Sequence, residues 1–353
     1  MSLLRQIQPK SLRKVMMKTE ILNDKDPLDI KKAAEFLKDG NLVAFATETV
    51  YGLGASALNG EAVKRIFEAK GRPQDNPLIV HVSDPADAEQ YAYVNELFCK
   101  LAKRFMPGPI TVILPKKDVI AEEVTCGLDS VGIRVPQYPY ARELIKMAGV
   151  PIAAPSANIS GKPSPTTAEH VIDDLCGRVE CILCGDDCKV GVESTVVKIT
   201  SEDSLVICRP GGVTAEMLSE VCSNITIDPA VMSKFDGKPV SPGMKYRHYA
   251  PKAPVTVLVG TEERFLSYIS DEENAAILCF DEDSELIKHK NAMSLGSCND
   301  TEEQASRLFA CLRKFDKMKN ITHIYARMPE KGGVGLAVYN RLLKAAGFNV
   351  VTL

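Results

Sequence analysis

Lys70 and Arg72 flank a glycine at the end of a helical pattern, and Asn76 follows four residues later, so two fixed cations stand beside a backbone that must bend. Upstream, Thr47-Glu48-Thr49-Val50-Tyr51-Gly52-Leu53-Gly54 leaves the apolar run Leu42–Ala46 through hydroxyls and glycines, a composition that suits a small polar ligand at a strand exit. Downstream, His81 interrupts the apolar run Leu78–Val82. Each piece also has an ordinary reading. A helix C-terminus favours Lys and Arg through the backbone dipole alone, an isolated His on a strand is commonly a core residue, and glycine turns are widespread. Taken singly, the residues leave both readings open.

Together they are more specific. TETVYGLG followed by KGRPxxNPLIVHV resembles the YrdC-domain family of threonylcarbamoyl-AMP synthases. The resemblance continues in order through Pro107–Thr111 (PGPIT), Val131–Pro136 (VGIRVP), Ala154–Val171 (APSANISGKPSPTTAEHV), Val192–Val197 (VESTVV) and Arg209–Gly211 (RPG). Ser241–Pro251 (SPGMKYRHYAP) is similar to the linker of the long, two-domain Sua-type synthases, and coverage runs from about Ile21 to the C-terminus.

The resemblance implies ATP-dependent condensation of L-threonine with bicarbonate to give L-threonylcarbamoyl-adenylate and pyrophosphate, the first step of N6-threonylcarbamoyladenosine synthesis at position 37 of tRNAs. By the same resemblance Thr49, His81, Arg134, Ala154 and Ser194 fall at positions that hold L-threonine, with Arg134 facing its carboxylate. Lys70, Arg72, Asn76, Ser130, Ser156, Ser164 and Arg209 fall at ATP-binding positions, Lys162 adds charge, and Tyr246, with Tyr249 as second choice, reaches the adenylate from the linker. No residue is expected to act as a protein nucleophile. Joining a carbamate to the α-phosphorus of ATP brings two anions together, which calls for positioning and charge neutralisation. A magnesium ion on the triphosphate is expected from the chemistry, and Glu193 is left outside the expected site. No GxxxxGK[ST] run is present, which excludes a Walker-type phosphate loop.

Length and composition set the frame. At 353 residues the chain exceeds the size at which a single core stops growing. Residues 1–20 read as a tail, 21–222 as a catalytic domain, 223–253 as a proline-bearing linker or lid, and 254–353 as a second domain. A hydrophobic content of 45%, a charged content of 25% and a net charge of −3 give no global case for a nucleic-acid coat or an anionic-membrane binder. No apolar run approaches the roughly 20 residues that span a bilayer, and a cytoplasmic setting is expected. Among the 11 cysteines, Cys176, Cys181, Cys184 and Cys188 cluster. Cys181–Cys184 reads as a buried strand that points its two cysteines to opposite faces, which favours apolar packing over a zinc site or a disulfide.

Strands are predicted at Leu42–Ala46, Leu78–Val82, Thr111–Leu114, Gly132–Val135, Ile152–Ala154, Cys181–Cys184, Ser194–Ile199 and Val206–Cys208. Helices are predicted at Pro27–Lys38, Glu61–Lys70, Pro85–Phe105, Tyr138–Ala148, Thr167–Cys176 and Ala215–Cys222, with Thr166 and Glu169 as a capping pair. The fold class is α/β. The resemblance implies a YrdC-like twisted, open mixed sheet around a concave site, and the alternation after Pro254 predicts a smaller Rossmann-like α/β domain. There Gly332-Gly333-Val334-Gly335 reads as a helix-start and packing turn rather than a nucleotide loop, since Val338 stands where a third glycine belongs.

Two other functions compete. One is an RNA-binding module working on tRNA or double-stranded RNA; the other is carbamoyl transfer to a protein. Small polar ligand groups and a lid favour the synthase reading over the first, and the lack of repeated CxxC fingers disfavours the second. Expected partners are ATP, L-threonine and bicarbonate, then tRNA or double-stranded RNA and a downstream threonylcarbamoyl-transferase, with no membrane.

Overall fold

A computed structural model describes residues 17–233 and 248–353. The first eleven strands are β1 (Glu20–Asn23), β2 (Val43–Phe45), β3 (Gly52–Ser56), β4 (Ile79–His81), β5 (Ile110–Pro115), β6 (Ser130–Arg134), β7 (Ile152–Ala154), β8 (Cys181–Cys184), β9 (Thr195–Ser201), β10 (Ser204–Arg209) and β11 (Asn224–Ile227). They form one mixed sheet in the order β1-β8-β2-β3-β7-β4-β6-β5-β9-β10-β11. The α/β class and the large mixed sheet agree with the reading of the sequence.

Side-chain alternation gives the central strands two different faces. Leu53, Ala55, Val80, Val112, Ile133, Ala153 and Val197 point into the main core, where they meet the helices Gly60–Lys70 and Glu96–Phe105. The other face is covered at one end, where Pro27–Lys38 and Pro139–Ala148 pack over Val43, Phe45, Cys181 and Leu183. Toward β4 and β6 that face is left open, and small residues line it. Ile79 pairs with Gly132 and with Ala154, and His81 pairs with Arg134. The tightest point is Gly54, where a Cβ would lie 2.7 Å from Ile152 Cγ2 and 2.8 Å from Phe45 Cε1.

A second sheet is fully parallel, built from β12 (Val255–Val259), β13 (Ala275–Cys279), β14 (Ala292–Ser294), β15 (His323–Arg327) and β16 (Val350–Thr352) in the order β14-β13-β15-β12-β16. Its helices Thr301–Lys317 and Gly335–Ala345 pack on each other and face the first sheet's unit. Val50 and Val192 from the first unit enter the second core.

Several expectations change. Gly52-Leu53-Gly54, read as a turn, belongs to a strand antiparallel to β2, because the turn itself is completed earlier by Thr47, whose hydroxyl donates to Val50 O at 2.6 Å. The helix expected over Pro85–Phe105 is two pieces, a 3-10 turn at Pro85–Gln90 and a helix at Glu96–Phe105. Asn95 caps the second through Phe98 N at 2.8 Å, and Tyr93 N donates to Pro115 O, which draws the chain out to β5 between the pieces. Thr167, not Thr166, caps the following helix by accepting from His170 N. The helix from Ala215 ends at Leu218, and β11 then pairs in parallel with β10 inside the stretch expected as linker. Most of that linker, with Tyr246, and most of the N-terminal tail lie outside the described residues. Cys181 and Leu183 pack on one face of the sheet and Ile182 and Cys184 on the other, as the alternation requires. Gly335 opens its helix beside Glu330 O, where a Cβ would approach to 2.5 Å, so the glycine is needed for packing.

Gly54→Ala is expected to destabilise the chain by about 1–3 kcal/mol, because the added methyl must displace Ile152 or Phe45. The urea unfolding midpoint measures it, and Gly71→Ala, with no neighbour within 4 Å but a φ of +61°, separates crowding from backbone strain.

Candidate functional site

The open face of β3, β7, β4 and β6 forms the floor of a solvent-open cavity. Its floor is Gly52, Ile79, His81, Arg134 and Ala154, its walls are Lys70, Arg72, Pro155–Ser156, Asn158 and Ser160–Lys162, and Glu193, Arg209, His248 and Tyr249 close the far side. Lys70 and Arg72 reach it because the preceding helix is stopped by Gly71 in the left-handed conformation, φ +61°, with its N–H returned to the helix carbonyls.

Each cation is held by a dedicated acceptor. Lys70 Nζ donates to Ser156 O and Asn158 O, the latter at 2.6 Å, and so ties the helix end to the Ser156–Asn158 loop. Burial, then the neighbouring Arg72, pushes its pKa well below the ordinary lysine value. Arg72 donates to Asn76 O at 2.9 Å. Arg134 donates through one amino group to Glu48 Oε1 at 2.7 Å and Thr49 Oγ1 at 2.8 Å, while its Nε is buried with no hydrogen-bond partner. Arg209 spans Ser194, donating from Nε to the carbonyl at 3.0 Å and from an amino group to the hydroxyl at 3.1 Å. Burial lowers its pKa to about 10.

The carboxylates are engaged as well. Glu48 also accepts from Gln137 N at 3.0 Å. Glu193 accepts from Ser164 Oγ at 2.5 Å and from Arg341 Nε, on the second unit, at 2.8 Å. Burial alone would raise the Glu193 pKa, but Arg341 and then Arg209 outweigh it and hold it at about 2. Asp174 accepts from Lys162 Nζ at 2.7 Å and from Arg313, again from the second unit, at 2.8 Å. Tyr249 sits at φ +62°, uncommon for a residue with a Cβ, and its ring lies 5.1 Å from Phe309 and 5.7 Å from the Arg341 guanidinium.

Of the residues expected from the sequence, Lys70, Arg72, His81, Arg134, Ala154, Ser156 and Arg209 line this one cavity, as does Lys162. Thr49, Ser164 and Ser194 stand one bond behind it, on Arg134, Glu193 and Arg209 respectively. Asn76 is buried under Arg72 with both side-chain amide atoms unpartnered. Ser130 is not among the lining residues; it lines a smaller neighbouring recess with Pro77, Thr111, Gly132 and Val196, sharing Ile79 with the main cavity. Tyr246 lies outside the described residues, and the second choice, Tyr249, reaches the wall. Sequence reading missed the roles of Glu48, Asp174, Glu193, Arg313 and Arg341. Glu48 and Glu193 do sit inside the quoted blocks, next to expected residues, and that adjacency was a usable signal. Arg341 carried none, since 148 positions separate it from Glu193.

Comparisons with known proteins bear on the same stretches. Residues 35–211 match the family model described as "Telomere recombination", and residues 213–347 match the one described as "Threonylcarbamoyl-AMP synthase, C-terminal domain". The chain is 45% identical over 343 residues to the threonylcarbamoyl-AMP synthase of Pyrococcus abyssi, covering 94% of this chain and 99% of that protein. It is 46% identical over 339 residues to the one of Bacillus subtilis, covering 94% and 97%. Among solved structures, that of P. abyssi Sua5 complexed with L-threonine superposes with a TM-score of 0.88 at 43% identity, over 95% of this chain and all of that one.

His81 provides a test of the floor. It is buried, and burial followed by the Arg134 charge lowers its pKa from 6.5 to about 3. The unfolded chain therefore binds a proton below pH 6.5 that the folded chain refuses until about pH 3, and stability falls as pH drops through that window, by up to about 1.4 kcal/mol per pH unit. His170, lowered to about 4 mainly by burial, acts in the same direction. His81→Asn is expected to reduce the slope of the urea midpoint between pH 6.5 and 4 by close to one proton.

Proposed function

The chain belongs to the threonylcarbamoyl-AMP synthase family, in the form that carries both matched regions, and on that premise we propose that its cavity condenses L-threonine, bicarbonate and ATP into L-threonylcarbamoyl-adenylate with release of pyrophosphate. This is the entry step of tRNA N6-threonylcarbamoyladenosine formation. The observation that carries the reading is the gathering of Lys70, Arg72, Arg134 and Arg209 around one cavity, together with Lys162, the imidazoles of His81 and His248, hydroxyls, the Asn158 amide and the already-engaged carboxylate of Glu193.

In this reading the threonine amine and bicarbonate give a carbamate and water, and a carbamate oxygen attacks the α-phosphorus while pyrophosphate leaves from the opposite side. Nothing in this sequence requires a protein nucleophile. The chain's part is to bring two anions together and to spread the charge that develops at phosphorus. Arg134, with an unpartnered Nε beside His81 and Thr49, is placed to take the threonine carboxylate, and the Glu48 and Thr49 contacts hold the guanidinium plane for it. Buried His81 stays neutral and adds no competing charge. Lys70, Arg72 and Arg209 suit the phosphates. An anion beside Lys70 would favour its ammonium form against the cost of burial. Asn76, with both amide atoms unpartnered, offers a donor and an acceptor to the nucleotide.

Magnesium belongs to the same proposal. Glu48, Asp174 and Glu193 already accept from Arg134, Arg313 and Arg341, so among the described residues these three carboxylates are engaged, and a magnesium ion would travel on phosphate oxygens and water. Recognition of tRNA or double-stranded RNA, hand-over to a downstream threonylcarbamoyl transferase and a cytoplasmic setting follow from the reading as proposals; among the described residues no helix is long and apolar enough to cross a membrane.

Pyrophosphate release from ATP by the purified chain is expected only when both L-threonine and bicarbonate are present. Release independent of either, or tight RNA binding without turnover, would replace this reading. Arg134→Lys, which keeps the charge but loses the two-pronged geometry, is expected to raise the KM for L-threonine by on the order of tenfold or more while changing the KM for ATP much less.

A further inference from the structure

Arg341 does not line the cavity, yet it is the most enclosed cation near it. Its side chain is wholly buried, and it comes from the second unit's helix Gly335–Ala345. Its Nε donates to Glu193 Oε2 at 2.8 Å, one amino group reaches Glu193 O at 3.4 Å, and the other donates to Asn340 Oδ1 at 3.0 Å. Asn340 in turn donates to Val231 O at 2.6 Å, so the guanidinium is fixed between both units. Its face meets the Tyr249 ring. Glu193 is a cavity residue, its other oxygen accepts from Ser164, and the next residue, Ser194, carries both hydrogen bonds of Arg209.

We propose that Arg341 is a positioning residue for the nucleotide: by neutralising Glu193 it keeps Arg209 directed at the substrate's phosphates. The argument rests on the synthase reading above, because only an anionic substrate gives the neutralisation its value. A buried carboxylate in the wall of a cavity that must admit a triphosphate and a carbamate repels both, and the repulsion is strong where water is excluded. Arg341 offsets that charge from outside the cavity, where it takes no space from the substrate. Without it, Arg209, whose charge already acts on Glu193, would turn from the phosphates to the carboxylate. The second unit then contributes to substrate binding without touching substrate. A simple docking contact between the two units is the competing account, and it predicts lost stability without selective loss of nucleotide affinity.

The test uses initial rates of pyrophosphate release by the full-length chain, with ATP and L-threonine varied separately and thermal melting recorded for each variant. Arg341→Gln is expected to raise the KM for ATP by on the order of tenfold or more, and that for L-threonine by less than about threefold. Adding Glu193→Gln to Arg341→Gln removes the uncompensated charge and is expected to recover most of the ATP affinity. Arg341→Lys loses the fork that reaches Asn340 but keeps the charge that offsets Glu193, and is expected to hold the ATP KM within about threefold of the parent. Equal rises in both KM values, or a double variant that binds ATP no better than Arg341→Gln, would overturn the proposal. Should Arg341→Gln fail to fold, the other two decide: a folded Arg341→Lys, or a folded neutral pair, with ATP KM raised tenfold or more also overturns it. A parent chain that releases pyrophosphate without L-threonine or bicarbonate removes the synthase reading, whereas a parent that needs both, with variants that show no ATP selectivity, removes only this inference.

Discussion

Among the described residues, the cationic side chains of Lys70, Arg134, Arg209 and Arg341 are almost wholly removed from water in and around one cavity, and the arrangement of the site follows from the need to hold them there. A buried cation without a partner is strongly unfavourable. Each therefore has its acceptor: the Ser156 and Asn158 carbonyls for Lys70, Glu48 for Arg134, the Ser194 carbonyl for Arg209 and Glu193 for Arg341. The acceptors in turn fix the backbone that carries them. The Thr47–Val50 turn, the Ser156–Lys162 loop and the Glu193-Ser194 step are ordered by the charges they neutralise. A binding surface of this kind is organised before substrate arrives, which is what a reaction driven by positioning requires.

The sheet makes room for that surface by omitting side chains. Gly52 and Ala154 share the open face with His81 and Arg134, so large functional groups rise from a floor of small ones. The opposite face is a continuous apolar core against the helices. The same strands thus serve two purposes through alternation alone, with one set of alternate positions (Leu53, Val80, Ile133, Ala153) packing in the core and the other (Gly52, His81, Arg134, Ala154) facing the cavity, and a one-residue slip of register in β4 or β6 would exchange the two.

The second unit is not an appendage in this geometry. Its core takes in Val50, Val192 and Tyr249. Two of its arginines, Arg313 and Arg341, each grip a carboxylate of the first unit whose other contacts lead to the Ser160–Ser164 loop, to Lys162 in one case and Ser164 in the other. Arg313 also donates to Pro163 O at 2.7 Å, between those two residues. The Ser160–Ser164 loop is accordingly held from behind by the second unit while its front faces the cavity. Charged pairs of this kind contribute modestly to net stability, since desolvation offsets attraction, but they define one geometry.

The sequence alone determined the α/β class, most of the strands and helices, and the membership of seven cavity residues, because each rests on local information. Periodicity of 2 or 3.6 residues, a stop glycine such as Gly71, and ordered motif blocks are all readable within a short window. The Pro85–Phe105 helix was misread for the same reason in reverse, since its interruption depends on Tyr93 bonding to a distant strand. Only the tertiary structure decided that Glu193 and Glu48 are engaged rather than solvated, that Ser130 sits in a side recess, and that Arg341 governs a residue 148 positions away. Pairing of buried charges is a property of distance and dielectric, and neither is written in the order of residues until the chain has folded.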